Sequence, residues 1–508
     1  MTGPGGHRDG WLRLDRRTLL VTALAMAGVA AGGSVPVFLG LAGALPAPRA
    51  LGLVLAGAVL LVAGAVGADY VRWRRTRYRL GADRAELHTG LFLVKRRSLA
   101  RERIRSVDLT AHPLLRLLGL VKVRIGTGEH TGGGESTLEL DPVTRAEGER
   151  LRRELLDRAR DPGPGSHPDG ELAALDPGWI RYAPLSFVAP LLGGAAAGSV
   201  MQVSDWFGAQ RQVIDWMGDR FADTPLVWTV VALAAAALLA GVVGSLGLWV
   251  EMWWNYRLER EPGGTLRVRR GLLTSRSLSV EERRLRGVEL VEPLGVRTCR
   301  AARVDAIATG ITAGKDDRHG DHRTLLPAVP RALADEVAAR VLRESAAPTG
   351  APLTGHPRAA RARRLRWSLT AALVPVVALA VLGAVLTDVL LYVAGVCALV
   401  LVPLAVVLAL DAYRALGHGI TGGYLVTRSG TVRRTTAALQ RPGVIGWTVR
   451  QSYFQRRAGL LTLTATTAAG SGAYHVYDAG QSEGLGFAAA AVPGLLEPFL
   501  ERSEPGDA

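Results

Sequence analysis

The sequence predicts an α+β membrane protein in which six transmembrane helices, arranged as three hairpins, alternate with three small β-barrels that each end in a capping helix. Three observations predict this. Long uncharged apolar runs occur in pairs, arginine-rich segments flank them, and a strand-rich segment recurs after each pair. In 508 residues, 48% hydrophobic residues coexist with a formal charge of +16. A single soluble core would distribute its apolar residues periodically rather than in uncharged blocks.

The uncharged runs approach or exceed the roughly 20 residues that a spanning helix needs. Pro184 and Pro190 weaken the start of the third run, which is also rich in glycine and alanine. A short turn at residues 45–48 makes the first two runs a hairpin, so both of its ends lie on one side of the membrane. The predicted spans cover residues 18–48, 50–68, 185–203, 226–250, 367–386 and 389–410.

Charge predicts the orientation. Arginines precede the first span at Arg13, Arg16 and Arg17, and further clusters at 72–79 and 361–366 adjoin the second and fifth spans. The loop between the third and fourth spans instead carries two arginines and four aspartates. Because positively charged loops stay on the cytoplasmic side, we expect both termini and all three soluble domains in the cytoplasm.

These boundaries divide the chain into nine segments. We expect a cytoplasmic N-terminal segment at 1–17, hairpins at 18–71, 185–250 and 367–411, barrels at 72–160, 251–345 and 412–508, and linkers at 161–184 and 346–366. The second linker is basic. The two cysteines, Cys299 and Cys397, are poor disulfide candidates, because one lies in a basic domain and the other in an apolar run.

The strand-rich segments align with one another from Tyr78-Arg79-Leu80, Tyr256-Arg257-Leu258 and Tyr424-Leu425-Val426. Each of the first two copies continues through an alternating strand and a Gly-Leu turn, which is typical of a hairpin. Helical patterns close the copies at 145–158, 330–343 and 487–501. Several short strands closed by one helix is the order of a small barrel with a helical cap.

The repeated motifs resemble the bacterial pleckstrin-homology (PH)-like family that is flanked by membrane spans, the YdbT-type membrane proteins. The resemblance rests on the Tyr-Arg-Leu entry, the Gly-Leu turn, the strand Arg103-Ile104-Arg105-Ser106-Val107 and the segment 114–121, and it covers nearly the whole chain. Copy three departs from the Arg-Ile-x-x-Val strand. The resemblance implies three seven-stranded PH-like barrels, a multi-pass protein of the bacterial inner membrane, and no catalytic residues.

Patterns for enzymatic or metal chemistry are weak. The segment 310–316 lacks the glycine spacing and final Ser/Thr of a phosphate loop. His319 and His322 lie near three aspartates in a polar loop that we interpret as solvated. The predicted spans hold no ionisable residue in their interiors, which argues against coupled transport. We therefore predict a non-enzymatic protein with no metal and no cofactor.

Basic side chains beside the membrane are the remaining candidates for function. Because arginine clusters adjoin apolar runs directly, we expect anionic lipids of the inner leaflet as partners rather than nucleic acid, together with a protein partner or self-association. A component of a transport, export or envelope-stress protection assembly is the alternative, and an enzyme acting on lipids is the third hypothesis. The predicted contact residues are Lys95, Arg96, Arg97, Arg101, Arg103, Arg105, Arg269, Arg270, Arg283 and Arg284.

Overall fold

The computed structural model describes residues 11–81, 83–89, 95–100, 104, 106–126, 137–156, 170–261, 264–309, 323–496 and 498. The chain divides into two compact units, Met1–Glu282 and Arg283–Ala508.

The described α-helices include long apolar ones and short ones that connect strands. In chain order they are α1 Thr18–Ala42, α2 Ala47–Arg75, α3 Pro113–Leu117, α4 Arg145–Leu156, α5 Val188–Trp206, α6 Gln210–Phe221, α7 Leu226–Trp253, α8 Leu294–Thr298, α9 Arg331–Leu342, α10 Arg358–Leu386, α11 Asp388–Arg414, α12 Tyr453–Arg457 and α13 Gln481–Ala491.

Five of these helices, α1, α2, α7, α10 and α11, are long and apolar enough to cross a membrane. The expected third span differs from the other five. It corresponds to α5, which is preceded by a 3-10 helix, Pro177–Leu185, and the two helices meet at a bend of 68°. Pro184 sits at this junction and cannot donate a backbone hydrogen bond, which favours the break. Six spans are therefore not confirmed: the described helices supply five, or six if the bent pair forms one span.

The helices α5 and α7 approach each other closely at small residues. A Cβ atom added to Gly241 would lie 2.0 Å from the carbonyl oxygen of Ala189, and one added to Gly193 would lie 2.1 Å from that of Ala237. Small residues at four-residue spacing allow this kind of close contact between membrane helices. The second hairpin is thus packed backbone against backbone.

The described strands all pair antiparallel. In chain order they are β1 Leu12–Arg13, β2 Arg77–Leu80, β3 Arg84–Thr89, β4 Lys95–Ala100, β5 Ser106–Ala111, β6 Leu120–Gly126, β7 Thr137–Thr144, β8 Gly170–Ala174, β9 Arg257–Glu261, β10 Thr265–Arg270, β11 Ser275–Glu281, β12 Leu285–Pro293, β13 Ala301–Ala308, β14 Thr324–Pro330, β15 Gly417–Thr421, β16 Tyr424–Ser429, β17 Arg433–Gln440, β18 Val444–Arg450, β19 Leu460–Thr467 and β20 Ala473–Gly480.

The described strands form four open sheets, so the expected closed barrels are not confirmed. The first unit has a four-stranded sheet, β1-β2-β3-β4, and a seven-stranded sheet, β7-β6-β5-β11-β10-β9-β8. The second unit has a six-stranded sheet, β14-β13-β12-β17-β16-β15, and a three-stranded sheet, β18-β19-β20. In each of the two larger sheets, strands from two sequence repeats are hydrogen-bonded side by side.

The pairing between repeats has a defined register. In the first unit β5 pairs with β11, with Ala111 opposite Ser275 and Leu109 opposite Ser277. In the second unit β12 pairs with β17 along its length from Gly287 to Pro293. The second half of one repeat therefore extends the sheet of the first half of the next repeat instead of closing a barrel with the first half of its own repeat.

The two halves of a repeat nevertheless share a hydrophobic core. In the first unit Leu87 and Leu99, from the four-stranded sheet, pack in one buried cluster with Val107, Val123 and Leu151. Complete burial of such side chains contributes about 1.5–3 kcal/mol each. The second half of the first repeat is thus bound twice, face to face with the first half of its own repeat and edge to edge with β11 of the second repeat.

The helices that close the repeats match the sequence prediction at two places and differ at the third. Helices α4 and α9 lie within the predicted ranges to about one residue at their starts. Helix α13 begins at Gln481, earlier than the expected 487, and ends at Ala491. Pro493, two residues later, disfavours continuation of the helix.

Candidate functional site

The first strand of each repeat begins almost immediately after a long apolar helix. Helix α2 ends at Arg75 and β2 starts at Arg77, and the corresponding gaps lead from Trp253 to Arg257 and from Arg414 to Gly417. Since one residue spans at most about 3.6 Å, these strands start within about 15 Å of the helix ends. Covalent connection alone therefore places basic strand residues beside the membrane-spanning segments.

The connection after α7 is also held by side chains. The Glu251 carboxylate accepts hydrogen bonds of 2.8 Å from the backbone N–H groups of Leu273 and Thr274, in the turn between β10 and β11. The Arg270 guanidinium lies 4.4 Å from the centre of the Trp253 ring, within cation–π range. The β10–β11 turn is thus fixed to the C-terminal end of the helix.

An arginine-lined cavity of about 500 Å³ opens beside this turn. Its walls come from β5, β6 and α4 of the first repeat and from β9, β10 and β11 of the second, so the pairing of β5 with β11 creates it. Its arginines include Arg116, Arg145, Arg257, Arg269, Arg270 and Arg276. We call this feature the junction cavity.

A seventh lining arginine, Arg267, is neutralised within a buried ion-pair network. It contacts Glu149 at 2.7 Å and Glu261 at 3.0 Å, and Arg152 contacts the same two carboxylates at 3.1 and 2.9 Å. Two positive and two negative charges thus balance. This network joins α4 of the first repeat to β9 and β10 of the second.

The pKa values in the network reflect that balance. Burial alone would raise the pKa of Glu149, but Arg267 and Arg152 outweigh burial and lower it. The pKa of Glu261 is lowered in the same way, mainly by Arg152. Both carboxylates are therefore charged at neutral pH, and the network compensates Arg267 and Arg152 rather than the other lining arginines.

The described lining of the junction cavity holds seven arginines. Glu149 is the one acidic residue among the described lining residues, and its charge is already shared between two guanidinium groups. Burial, followed by repulsion from Arg267, lowers the pKa of Arg269. The carboxylates of Glu259, Glu149 and Glu261 act on this pKa in the opposite direction.

The rim of the junction cavity touches the ends of two apolar helices. Arg17, directly before α1, donates a 3.0 Å hydrogen bond to the carbonyl oxygen of Leu118, which precedes the lining residue Gly119. Asn255, two residues after α7, also lines the cavity. The junction cavity therefore lies beside the start of α1 and the end of α7.

The structure distributes the predicted contact residues over different environments. Arg96, Arg269 and Arg283 are exposed and Arg97 is half-buried. Arg270 and Arg284 are buried, at 7% and 9% exposure, and Arg270 packs against the Trp253 ring. Lys95 lies at the start of β4.

Several predicted residues fall outside the described part of the chain. These are Arg101, Arg103 and Arg105, the side chain of Lys95, and the glycine- and histidine-containing loops at 132–134 and 310–322. Of the ten predicted contact residues, the junction cavity brings Arg269 and Arg270 together. The strip at 95–105 contributes no residue to its described lining.

Sequence reasoning did not bring together Arg116, Arg145, Arg257 and Arg276, which also line the junction cavity. They come from four separate elements of two repeats. Each repeat was interpreted as a closed barrel, and that interpretation keeps them apart. The available signal was the density of arginine in β10 and β11, but it does not reveal which strand lies next to β11.

The second unit has its own contacts at helix ends. Asp478 is fully buried, and its carboxylate accepts hydrogen bonds from Gln455 at 2.9 Å, from Arg364 at 3.0 Å and from Arg363. Both arginines lie near the start of α10. Asp411, near the end of α11, contacts Arg297 at 2.8 Å and Arg434 at 3.1 Å. The buried Asp478 and the half-buried Asp411 thus connect α10 and α11 to the soluble part of this unit.

Comparison with known proteins places these features in a family context. The model of the bacterial PH domain family matches residues 34–159 and 373–492, which contain the first and third repeats. The chain is 22% identical over 432 residues to the transmembrane protein YdbT of Bacillus subtilis (strain 168), covering 80% of this chain and 82% of that protein. No solved structure gives a significant match.

Proposed function

Given that the chain is a YdbT-like membrane protein with bacterial PH domains, we propose that it is a non-enzymatic scaffold that binds anionic lipid headgroups of the inner leaflet. In this proposal the soluble sheets lie in the cytoplasm of a bacterial cell, as the arginine distribution predicts. The helices anchor the sheets and the sheets present the binding surface.

One observation carries the proposal: the first strand of each repeat starts two to four residues after a long apolar helix. The closest case is Arg77, two residues and at most about 7 Å from the end of α2, which is within the Debye length of about 10 Å. Each lysine or arginine near an anionic surface contributes about 1 kcal/mol. Several together are enough to hold a sheet against the leaflet.

The paired sheets support a scaffold rather than a flexible tether. Because strands of consecutive repeats are hydrogen-bonded in one sheet, neighbouring basic surfaces within a unit keep a fixed spacing. We also propose that the chain binds a protein partner in the membrane or a second copy of itself. Crosslinking in intact membranes followed by pull-down identifies it.

The lipid proposal is tested with the full chain in nanodiscs. We place a fluorophore at Ser98→Cys, exposed on β4 beside Arg96 and Arg97, in a Cys299→Ser/Cys397→Ser background. A quencher attached to lipid headgroups then reports contact between β4 and the leaflet. We expect quenching in discs containing phosphatidylglycerol, less in neutral discs, and relief at high salt.

The variant Arg96→Gln/Arg97→Gln should reduce the quenching in anionic discs. The same number of charges removed by Arg211→Gln/Arg220→Gln, in the segment predicted to lie outside, provides the matched control. Equal quenching in neutral and anionic discs, unaffected by salt, would contradict lipid binding by this surface.

A further inference from the structure

We infer that the junction cavity is a binding site for one phosphate group carried by an anionic phospholipid headgroup. This inference rests on the proposed function. It concerns a different surface from the basic residues Arg96 and Arg97 on β4, and it specifies a defined binding site rather than general electrostatic attraction to the membrane. Its residues come from two repeats of the first unit.

The charges of the junction cavity select an oxyanion. Arg267 is compensated by Glu149 and Glu261, whereas Arg269 on the same strand is exposed beside it and experiences its repulsion. Arg276 pairs in register with Arg270 across β10 and β11, and it is exposed at the cavity wall. A bound anion would relieve this repulsion, and it is the ligand class that such a cluster stabilises.

Arginine also favours phosphate by shape. The planar guanidinium group donates two parallel hydrogen bonds to two oxygens of a phosphate, which a lysine cannot do. Arginines from several elements converge on the junction cavity, with Arg145 at the start of α4 and Arg257 on β9. Phosphate oxygens can therefore be contacted from more than one direction.

The size and the apolar wall indicate a headgroup rather than a bare ion. The volume of about 500 Å³ lies within the roughly 300–1,000 Å³ of typical ligand cavities. It far exceeds the space of a small anion. Leu109, Ala111 and Leu120 line one side and offer an apolar surface that an inorganic phosphate does not need.

The position fits a lipid that remains in the bilayer. Arg17 before α1 contacts Leu118, next to the lining residue Gly119, and Asn255 after α7 lines the junction cavity, so the cavity lies beside the ends of both helices. Trp254, which is 45% exposed, follows α7 at the same level, and tryptophan is enriched at membrane interfaces. A headgroup could enter the cavity while its acyl chains stay beside the helices.

The test uses the full chain in detergent and native mass spectrometry. Phosphatidylglycerol, phosphatidylcholine and inorganic phosphate are titrated separately. We expect one molecule of phosphatidylglycerol to bind more tightly than any further molecules of the same lipid. Phosphatidylcholine should bind more weakly than this molecule. The variant Arg269→Gln/Arg276→Gln should raise the Kd of that molecule by about a hundredfold, since each lost charge-assisted contact costs roughly tenfold.

The matched control is Arg150→Gln/Arg340→Gln, which removes two exposed helical arginines outside the cavity lining. It should leave the tight molecule unchanged. The single variant Arg145→Gln, at an exposed position, provides a milder test if the double variant unfolds. It should raise the Kd by about tenfold.

The outcomes separate the possibilities. Unchanged lipid binding in both cavity variants would overturn the inference, even if the β4 quenching experiment supports the proposed function. Displacement of the lipid by inorganic phosphate at equal concentration would overturn the lipid as the source while retaining the phosphate site. Absence of salt-sensitive quenching at β4, together with one tightly bound phosphatidylglycerol that the cavity variants weaken, would contradict lipid contact by the β4 surface and support the junction cavity as the lipid site.

Discussion

At the scale of single residues, arginines with similar sequence surroundings have different roles because of their nearest neighbours. Arg267 and Arg269 are two residues apart on β10, yet the first is buried against two carboxylates and the second is exposed in the junction cavity. A buried charge needs a partner, whereas an exposed one is solvated until a ligand arrives. Contact with Glu149 and Glu261 thus gives Arg267 a structural role, whereas Arg269 is exposed in the junction cavity.

Asp478 should be the most costly single charge to remove in the second unit. Its φ of +57° is an uncommon backbone conformation that asparagine also tolerates, so Asp478→Asn changes the charge with little backbone strain. We expect a loss of about 3–5 kcal/mol, because Arg363 and Arg364 lose their carboxylate partner. Thermal unfolding of the full chain in detergent measures it.

The matched control is Glu336→Gln, which breaks the exposed pair between Glu336 and Arg340 on α9. It should cost less than about 1 kcal/mol. Similar losses in the two variants would mean that Asp478 does not hold α10 to its sheet.

The buried histidine pair His356 and His418 should make the protein less stable in acid. Their rings are hydrogen-bonded at 3.0 Å, and burial, reinforced by repulsion from His418, lowers the pKa of His356 to about 4. In the unfolded chain its pKa is about 6.5, so between pH 6.5 and 4 the unfolded state binds more protons. Stability is therefore complete above pH 6.5 and falls by up to about 3 kcal/mol towards pH 4.

The measurement is Tm as a function of pH for the native chain and for His356→Gln. Glu483, 3.9 Å from His418, and Asp478, whose backbone carbonyl contacts His356, are retained in both proteins, so the comparison isolates His356. The decline of Tm between pH 6.5 and 4 should be steeper in the native chain. Parallel curves would contradict the assignment to His356.

Residue-level prediction succeeded where a motif fixed local structure and failed where the partner was distant. Tyr78 and Tyr256 are buried at the positions where the repeat pattern places a strand entry. The burial of Arg284 and the fully buried Asp478 were not predicted. Burial of a charge depends on partners such as Arg363, which lies 115 residues from Asp478.

At the scale of elements, close packing of α5 and α7 compensates for the bent entry to α5. Their contact uses Ala189 and Gly193 on one helix and Ala237 and Gly241 on the other. Without a hydrophobic effect between helices in lipid, such backbone contact supplies much of the attraction. The bend at Pro184 was anticipated as a weak start of the third span, but its angle depends on this packing.

Gly241→Val should therefore disrupt the second hairpin. The added Cβ would collide with the backbone oxygen of Ala189, which has no side-chain rotamer to relieve it. We expect a loss of about 1–3 kcal/mol or more, seen as a lower Tm in detergent. Gly247→Val, on the same helix with no atom near its Cβ position, should have little effect. Equal effects would contradict the packing.

At the scale of the whole chain, the repeats are joined through their sheets as well as through the polypeptide. The repeat pattern correctly predicted that apolar helices alternate with strand-rich segments, because hydrophobicity and charge can be assessed in each short stretch of sequence by itself. It could not predict that β5 pairs with β11 or β12 with β17. A strand with one buried face has the same alternation of apolar and polar residues whether it pairs with a strand of its own repeat or with a strand of the next repeat.

Pairing between repeats is the central claim, because the junction cavity exists only if β5 lies beside β11. The most direct measurement is disulfide formation in the variant Ala111→Cys/Ser275→Cys, because these two small residues lie opposite each other in the register. The variant is made in a Cys299→Ser/Cys397→Ser background, and a protease site is inserted in 161–169. Opposed residues of antiparallel strands have Cα atoms about 4.5–5.5 Å apart, within disulfide range. After oxidation and cleavage, the two fragments should stay joined on a non-reducing gel, whereas Ala111→Cys/Glu171→Cys, with three strands between its positions, should separate. Separation of both variants would contradict the pairing and the junction cavity with it.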